Sequence, residues 1–147
     1  MSELDDFLTQ TLARQVEAEE AIHNGDLAPR LAMWTRNDPV SLFGGMGPCN
    51  SGWPDVSRTF HWLARRFSDC TSYEFELMAA GLSGDLAYTV GYEHTATSID
   101  GEPQTYTLRV THVYRREGGT WKIVHRHGDY LGEDQSAPAQ PAADGPA

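Results

Sequence analysis

From residue 3 to about residue 24, apolar side chains recur at helical spacing. Phe7, Leu8, Leu12, Val16 and Ile22 alternate with Glu17, Glu19 and Glu20, as one buried helix face requires. Asn24-Gly25 ends this first helix, and Asp26 can cap a short second one from Leu27 to about Trp34. Asp38-Pro39 breaks the pattern. Val40-Ser41-Leu42-Phe43 then reads as a short strand. Gly44, Gly45, Gly47 and Pro48 read as a loop with unusual backbone angles. Val56, Phe60, Leu63 and Phe67 form the apolar stripe of a third helix over about 54–68, with Arg58, Arg65 and Arg66 off it.

From residue 71 the period changes to two, with Tyr73, Phe75 and Leu77 alternating with Glu74 and Glu76. Ser83-Gly84 and Asp100-Gly101 are two-residue hairpin signals, and Glu117-Gly118-Gly119 is a third turn. They separate strands over about 85–98, 104–116 and 121–131. Helices grouped ahead of an antiparallel meander define an α+β fold, three N-terminal helices packed on a mainly antiparallel sheet. Residues 1–132 read as a single domain. Residues 133–147, rich in Ala, Pro, Asp and Gly, read as a disordered tail.

Two-residue turns set strand register. Pairing about Ser83-Gly84 sets Leu77 opposite Val90 and Phe75 opposite Tyr92. Pairing about Asp100-Gly101 sets Tyr92 opposite Arg109 and Val90 opposite Thr111. If Arg115 faces Trp121, then Val113 faces Ile123, Thr111 faces His125 and Arg109 faces His127. One face then carries Tyr73, Phe75, Leu77, Tyr88, Val90, Tyr92, His94, Thr107, Arg109, Thr111, Val113, Trp121, Ile123, His125, His127 and Asp129. Its apolar part reads as core and its other end as a polar pocket. The opposite face, with Thr89, Glu93, Tyr106, Leu108, Val110, His112, Tyr114, Lys122, Val124 and Arg126, is too apolar for a wholly wet surface and is expected to form a homodimer interface.

Composition narrows the function classes. Hydrophobic residues are 39% and charged residues 22%, a globular balance, and the formal net charge of -10 argues against nucleic acid or an anionic membrane surface. No apolar run approaches the roughly 20 residues that span a bilayer, and the acidic start lacks a secretory core, so a cytoplasmic location is expected. Cys49 and Cys70 form no CxxC pair and read as free thiols. His125 and His127 lie about 7 Å apart along one strand, yet no HExxH or cysteine pattern accompanies them, so neither a metal nor a cofactor is expected. A pocket imidazole titrates near neutral pH and can move a proton, which makes His127 and His125 catalytic candidates. Arg109 could hold a carbonyl or an anion. Thr111, Tyr92, Tyr88, His94, Trp53 and Trp62 are the remaining candidate ligand contacts.

Several segments resemble one family. They are Asp38-Pro39-Val40-Ser41-Leu42-Phe43 with its glycine loop, Gly52-Trp53, and the run Phe60 to Phe67 with Trp62. To these add Leu108-Arg109-Val110-Thr111-His112 and Trp121-Lys122-Ile123-Val124-His125-Arg126-His127. Together, over about residues 5–131, they are similar to SnoaL-like proteins of the nuclear transport factor 2-like superfamily, which includes ketosteroid isomerase and scytalone dehydratase. The resemblance implies a cone-shaped α+β barrel, a small-molecule pocket between sheet and helices, and a homodimer. In ketosteroid isomerase the base is a carboxylate in the broad region where Asp38 stands, which adds Asp38 to the catalytic candidates. Two functions follow from the resemblance. One is a cofactor-free isomerase, dehydratase or cyclase working by His and Arg proton transfer; the other is a non-catalytic ligand-binding or dimerisation module.

Overall fold

The structure, a computed structural model, describes residues 2–131, so the expected tail lies outside the described residues. Helix α1 spans Glu3–Ile22 and α2 spans Ala28–Met33. Ser2 and Asp5 cap α1 reciprocally, side chain to backbone, satisfying two amides that have no partner within the helix. Strands β1 (Ser41–Phe43) and β2 (Cys49–Ser51) form a small hairpin, so a second strand lies where the glycine-rich run suggested only loop. Helix α3 spans Trp53–Arg66. Four long strands follow: β3 (Phe67–Ser83), β4 (Leu86–Ile99), β5 (Glu102–Glu117) and β6 (Thr120–Tyr130). The sheet order is β2-β1-β6-β5-β4-β3, antiparallel except where β1 runs parallel to β6. This is the expected α+β architecture, a curved, unclosed sheet with helices against its inner face.

The core sits between that face and the helices. Phe7 of α1 meets Tyr114 of β5 and Trp121 of β6 edge-on, with ring centroids 5.0 and 5.1 Å apart. Trp34, Phe60, Val56, Leu42 and Ile123 fill the rest. Burying an aliphatic or aromatic side chain of this size contributes about 1.5–3 kcal/mol, so this cluster dominates the stabilisation.

Register decides which side chains enter the cone. The Asp100-Gly101 turn has both residues at positive φ (53° and 85°) and pairs Tyr92 with Arg109 and Val90 with Thr111, as its sequence dictates. The flanking hairpins differ from expectation. The first turn is Gly84-Asp85, Ser83 pairs with Leu86, and a bulge at Met78 sets Phe75 opposite Glu93 and Leu77 opposite Gly91. In β6, Tyr114 pairs with Ile123 but Val113 pairs with His125, which leaves Val124 as an unpaired extra residue. Each bulge reverses the alternation beyond it.

The face assignment is therefore corrected. Thr89, Glu93, Leu108, Val110, His112, Tyr114 and Arg126, expected at an outer interface, are buried against the helices. Tyr73, Trp121 and Ile123 join them there, because the bulges separate them from Tyr92 and from His125 and His127. The open face carries Tyr88, Val90, Tyr92, Arg109, Thr111, His127 and Asp129. Cys49 and Cys70 are free. No helix among the described residues is long and apolar enough to cross a membrane.

Candidate functional site

The inside of the cone is strongly polar. Gln15 and Glu19 of α1 and its C-terminal cap His23 recur every four residues, so one helix face and its end deliver all three toward the sheet. Arg30 of α2 donates to both carboxylate oxygens of Glu19 at 2.7 and 2.5 Å. From β6, Arg126 donates to Glu93 of β4 at 2.7 and 3.0 Å. Tyr73 donates to the same carboxylate at 2.7 Å, and Gln15 donates to the Tyr73 hydroxyl at 3.0 Å. His112 lies 3.1 Å from the Arg126 guanidinium. Both ion pairs are buried, and a buried charge is stable only when it is paired and hydrogen-bonded.

This setting controls protonation. Burial alone would raise the Glu93 carboxyl, but the charge and hydrogen bonds of Arg126 outweigh it and hold the group far below the carboxylate range. Burial pushes His23 below the ordinary imidazole value of 6.5, against an opposing pull from Glu19. Burial and the neighbouring Arg126 push His112 well below it. Burial raises the Tyr106 hydroxyl far above the phenol range.

Hydrogen bonding also sets the His23 tautomer. Its Nδ1 lies 2.6 Å from the Glu19 carbonyl oxygen, which can only accept, so Nδ1 carries the proton. Nε2 is then an acceptor, and it receives the Tyr106 hydroxyl at 3.0 Å. A neutral imidazole thus faces a neutral phenol at the rim of a cavity of about 40 Å³. Glu19, Arg30 and Arg126 line its polar side, with Leu63, Phe67 and Leu108 opposite. Gly44 and Gly45 of the loop after β1 also line it. A Cβ on Gly45 would sit 3.1 Å from the Leu108 side chain, so glycine allows this close approach of loop to sheet. The cavity has room for a few water molecules, and a larger ligand requires this loop to move.

The residues singled out from sequence lie elsewhere. Tyr92, Arg109, Thr111 and His127 come together in a groove of about 370 Å³ on the open sheet face, with Met78, Val90 and Asp129. Arg109 forms a bidentate pair with Asp129 at 2.7 and 2.9 Å, and His127 lies 3.8 Å from that carboxylate. His94 bridges Thr107 and Glu76 at 3.0 Å each. Tyr88 lines a second, more apolar groove of about 510 Å³ with Leu82, Leu86 and Val113. His125 is hydrogen-bonded to the Ser41 hydroxyl at 2.8 Å and lines neither groove. Asp38 is exposed in a bend before Pro39. Trp53 packs on Phe60 under Arg36, and Trp62 lies under Arg66. Among the described residues no cluster of three or more His, Cys, Asp or Glu is placed to hold a metal ion.

The interior residues Gln15, Glu19, His23, Arg30, Glu93, Tyr106 and Arg126 were not picked as site residues from the sequence. One signal was present. Phe7, Thr11, Gln15, Glu19 and His23 are spaced by four, a polar stripe continuing the apolar one. The buried side of α1 is Phe7, Thr11, Gln15, Ala18, Glu19 and Ile22 rather than the Leu8-Leu12-Val16 line, which is only half-buried.

Comparison with known proteins agrees with this architecture. The model of the SnoaL-like domain matches residues 13–131, and the chain belongs to this family. A solved structure from Streptomyces avermitilis, provisionally described as a dehydratase of the NTF2-like family, is 21% identical with a TM-score of 0.69, over 87% of this chain and 98% of that one. An NTF2-like superfamily protein from Salmonella enterica is 17% identical with a TM-score of 0.66, over 89% and 99%. A Thiobacillus denitrificans structure, provisionally described as a calcium/calmodulin-dependent protein kinase type II association domain, is 17% identical with a TM-score of 0.61, over 88% and 93%. At these identities the likeness shows the fold alone. No curated protein matches the chain.

Proposed function

We propose that the protein binds a small oxygenated molecule at the mouth of the cone and moves a proton on it, as a cofactor-free isomerase or dehydratase. The observation that supports this reading is the His23–Tyr106 pair at the cavity rim. Once the Tyr106 hydroxyl turns from His23 Nε2 to a ligand's carbonyl oxygen, the neutral imidazole can accept a proton at Nε2, and the phenol, which stays protonated, donates its hydrogen bond to that oxygen. On a carbonyl compound, His23 Nε2 takes the proton from the adjacent carbon while Tyr106 stabilises the developing enolate oxygen. Return of the proton to another carbon gives an isomerase. Loss of a β-hydroxyl as water gives a dehydratase. Glu19 holds His23 through its carbonyl and is itself clamped by Arg30.

The test is a thermal-shift screen of small ketones and hydroxyketones on the wild type, His23→Gln, Tyr106→Phe, His127→Ala and Arg109→Ala. Hits whose shift disappears in His23→Gln and Tyr106→Phe are expected. Hits that instead depend on His127 or Arg109 would move the site to the open face and sink this reading.

A second reading, a non-catalytic module that self-associates, is favoured by a different observation. Phe43, Met78, Leu86 and Tyr88 are all exposed large apolar side chains on the open face. Apolar side chains gathered on one sheet face suit a homodimer interface, and the protein similar to an association domain has this fold.

A further inference from the structure

Besides Arg30 Nε and Thr95 Oγ1, four buried polar atoms have no hydrogen-bond partner among the described residues: Gln15 Oε1, Thr89 Oγ1, His112 Nδ1 and Tyr114 Oη. All four side chains are at least 98% shielded from solvent. Their positions are not scattered. Thr89 and His112 are direct cross-strand partners on the inner face, and the Tyr114 ring lies 5.9 Å from the His112 ring. Gln15 joins the same network through Glu93 and Arg126.

Their hydrogen-bonding characters follow from their neighbours. Arg126 can only donate, so His112 Nε2 accepts from it, and the neutral ring must carry its proton on Nδ1. His112 Nδ1–H is therefore a donor without an acceptor. Gln15 spends its amide nitrogen on Tyr73 and Glu93, so its oxygen is an acceptor without a donor. The two hydroxyls can play either role. Side chains of directly paired residues stand about 5 Å apart at Cβ, and these two do not bond each other directly. A bridging water can join two such groups, accepting from one and donating to the other.

We propose that the cone holds a structural hydration site between Thr89, His112 and Tyr114, with Gln15 at its edge, where a bound water completes the hydrogen bonds of this network. Water is the ligand the set matches, because the atoms comprise one donor, one acceptor and two amphoteric hydroxyls with no net charge. The site is distinct from the cavity at the mouth and does not depend on any reaction there.

High-resolution diffraction tests it, together with melting of Thr89→Val, which keeps the side-chain shape and removes the hydroxyl. The expected result is density within hydrogen-bond distance of Thr89 Oγ1 and His112 Nδ1, and a variant that melts a few degrees lower than the wild type. Absent density overturns the proposal. So does a Thr89→Val protein that melts higher, because replacing a truly unpartnered hydroxyl with a methyl relieves a desolvation cost. If Thr89→Val does not fold, Tyr114→Phe carries the same opposed signs.

Discussion

Arg126 grips both oxygens of Glu93 from two strands away, and both residues are almost wholly buried. Removing one partner leaves the other charged and unpaired inside the cone. Arg126→Met is expected to lower unfolding free energy by about 3–5 kcal/mol in urea titration. A double variant, Arg126→Met with Glu93→Leu, should recover much of that loss. If Arg126→Met unfolds at the wild-type midpoint, the ion pair does not hold the interior together.

Two buried imidazoles make stability depend on pH in one direction. His23 and His112 both have folded values below the unfolded 6.5. Below 6.5 the unfolded chain binds these protons first, so each step down in pH favours unfolding until the folded values are reached. The slope is at most about 1.4 kcal/mol per pH unit for each histidine. Unfolding free energy is therefore expected to be constant well above pH 6.5 as far as these groups decide it, and to fall as the pH drops below that value. Glu93 adds a further loss only at lower pH, because its folded value is depressed and its unfolded value is the ordinary 4.5. Urea titrations of the wild type and His23→Gln across this range test the assignment. A variant with the wild-type slope would exclude His23 as a contributor.

The unpaired Val124 is what turns Arg126 inward and His127 outward. Deleting Val124 removes the extra residue and leaves the faces as they are, with Ile123, Arg126 and Gly128 inward and His125 and His127 outward in unbroken alternation. Glu93 then keeps Arg126 as its charged hydrogen-bond donor. The deletion protein is expected to keep its near-ultraviolet circular dichroism, the signal of fixed aromatic packing. Loss of that signal would mean that the strand needs the bulge itself in order to pack.

Leu86 and Tyr88 project from the open face, beside a groove of about 510 Å³. Light scattering at micromolar concentration is expected to give a dimer mass, reduced to the monomer mass by Leu86→Glu with Tyr88→Glu. A wild-type monomer would refute association through this face.

Much of the fold was legible because it rests on local periodicity. Helical spacing located α1, α2 and α3 to within a few residues, and alternation located the four long strands. Asp100-Gly101 specified its hairpin because both turn residues must adopt positive φ, which Gly and Asp tolerate. The pairing of Tyr92 with Arg109 followed directly. The candidate site was not legible in the same way. One extra residue at Met78 and one at Val124 decide which face of β3 and β6 enters the cone. Neither bulge has a compositional mark as strong as a turn glycine.

What the amino-acid sequence determined by itself is the order and type of elements, the central hairpin register and the family motifs, since these depend on neighbours a few residues apart. Tertiary structure alone decided that His127 and Arg109 face outward while Glu93, His112 and Arg126 face inward. That choice is made where the helices dock. The Gln15-Glu19-His23 stripe and Arg30 supply hydrogen-bond partners for buried charges that the other sheet face could not satisfy, and those partners are far away in sequence.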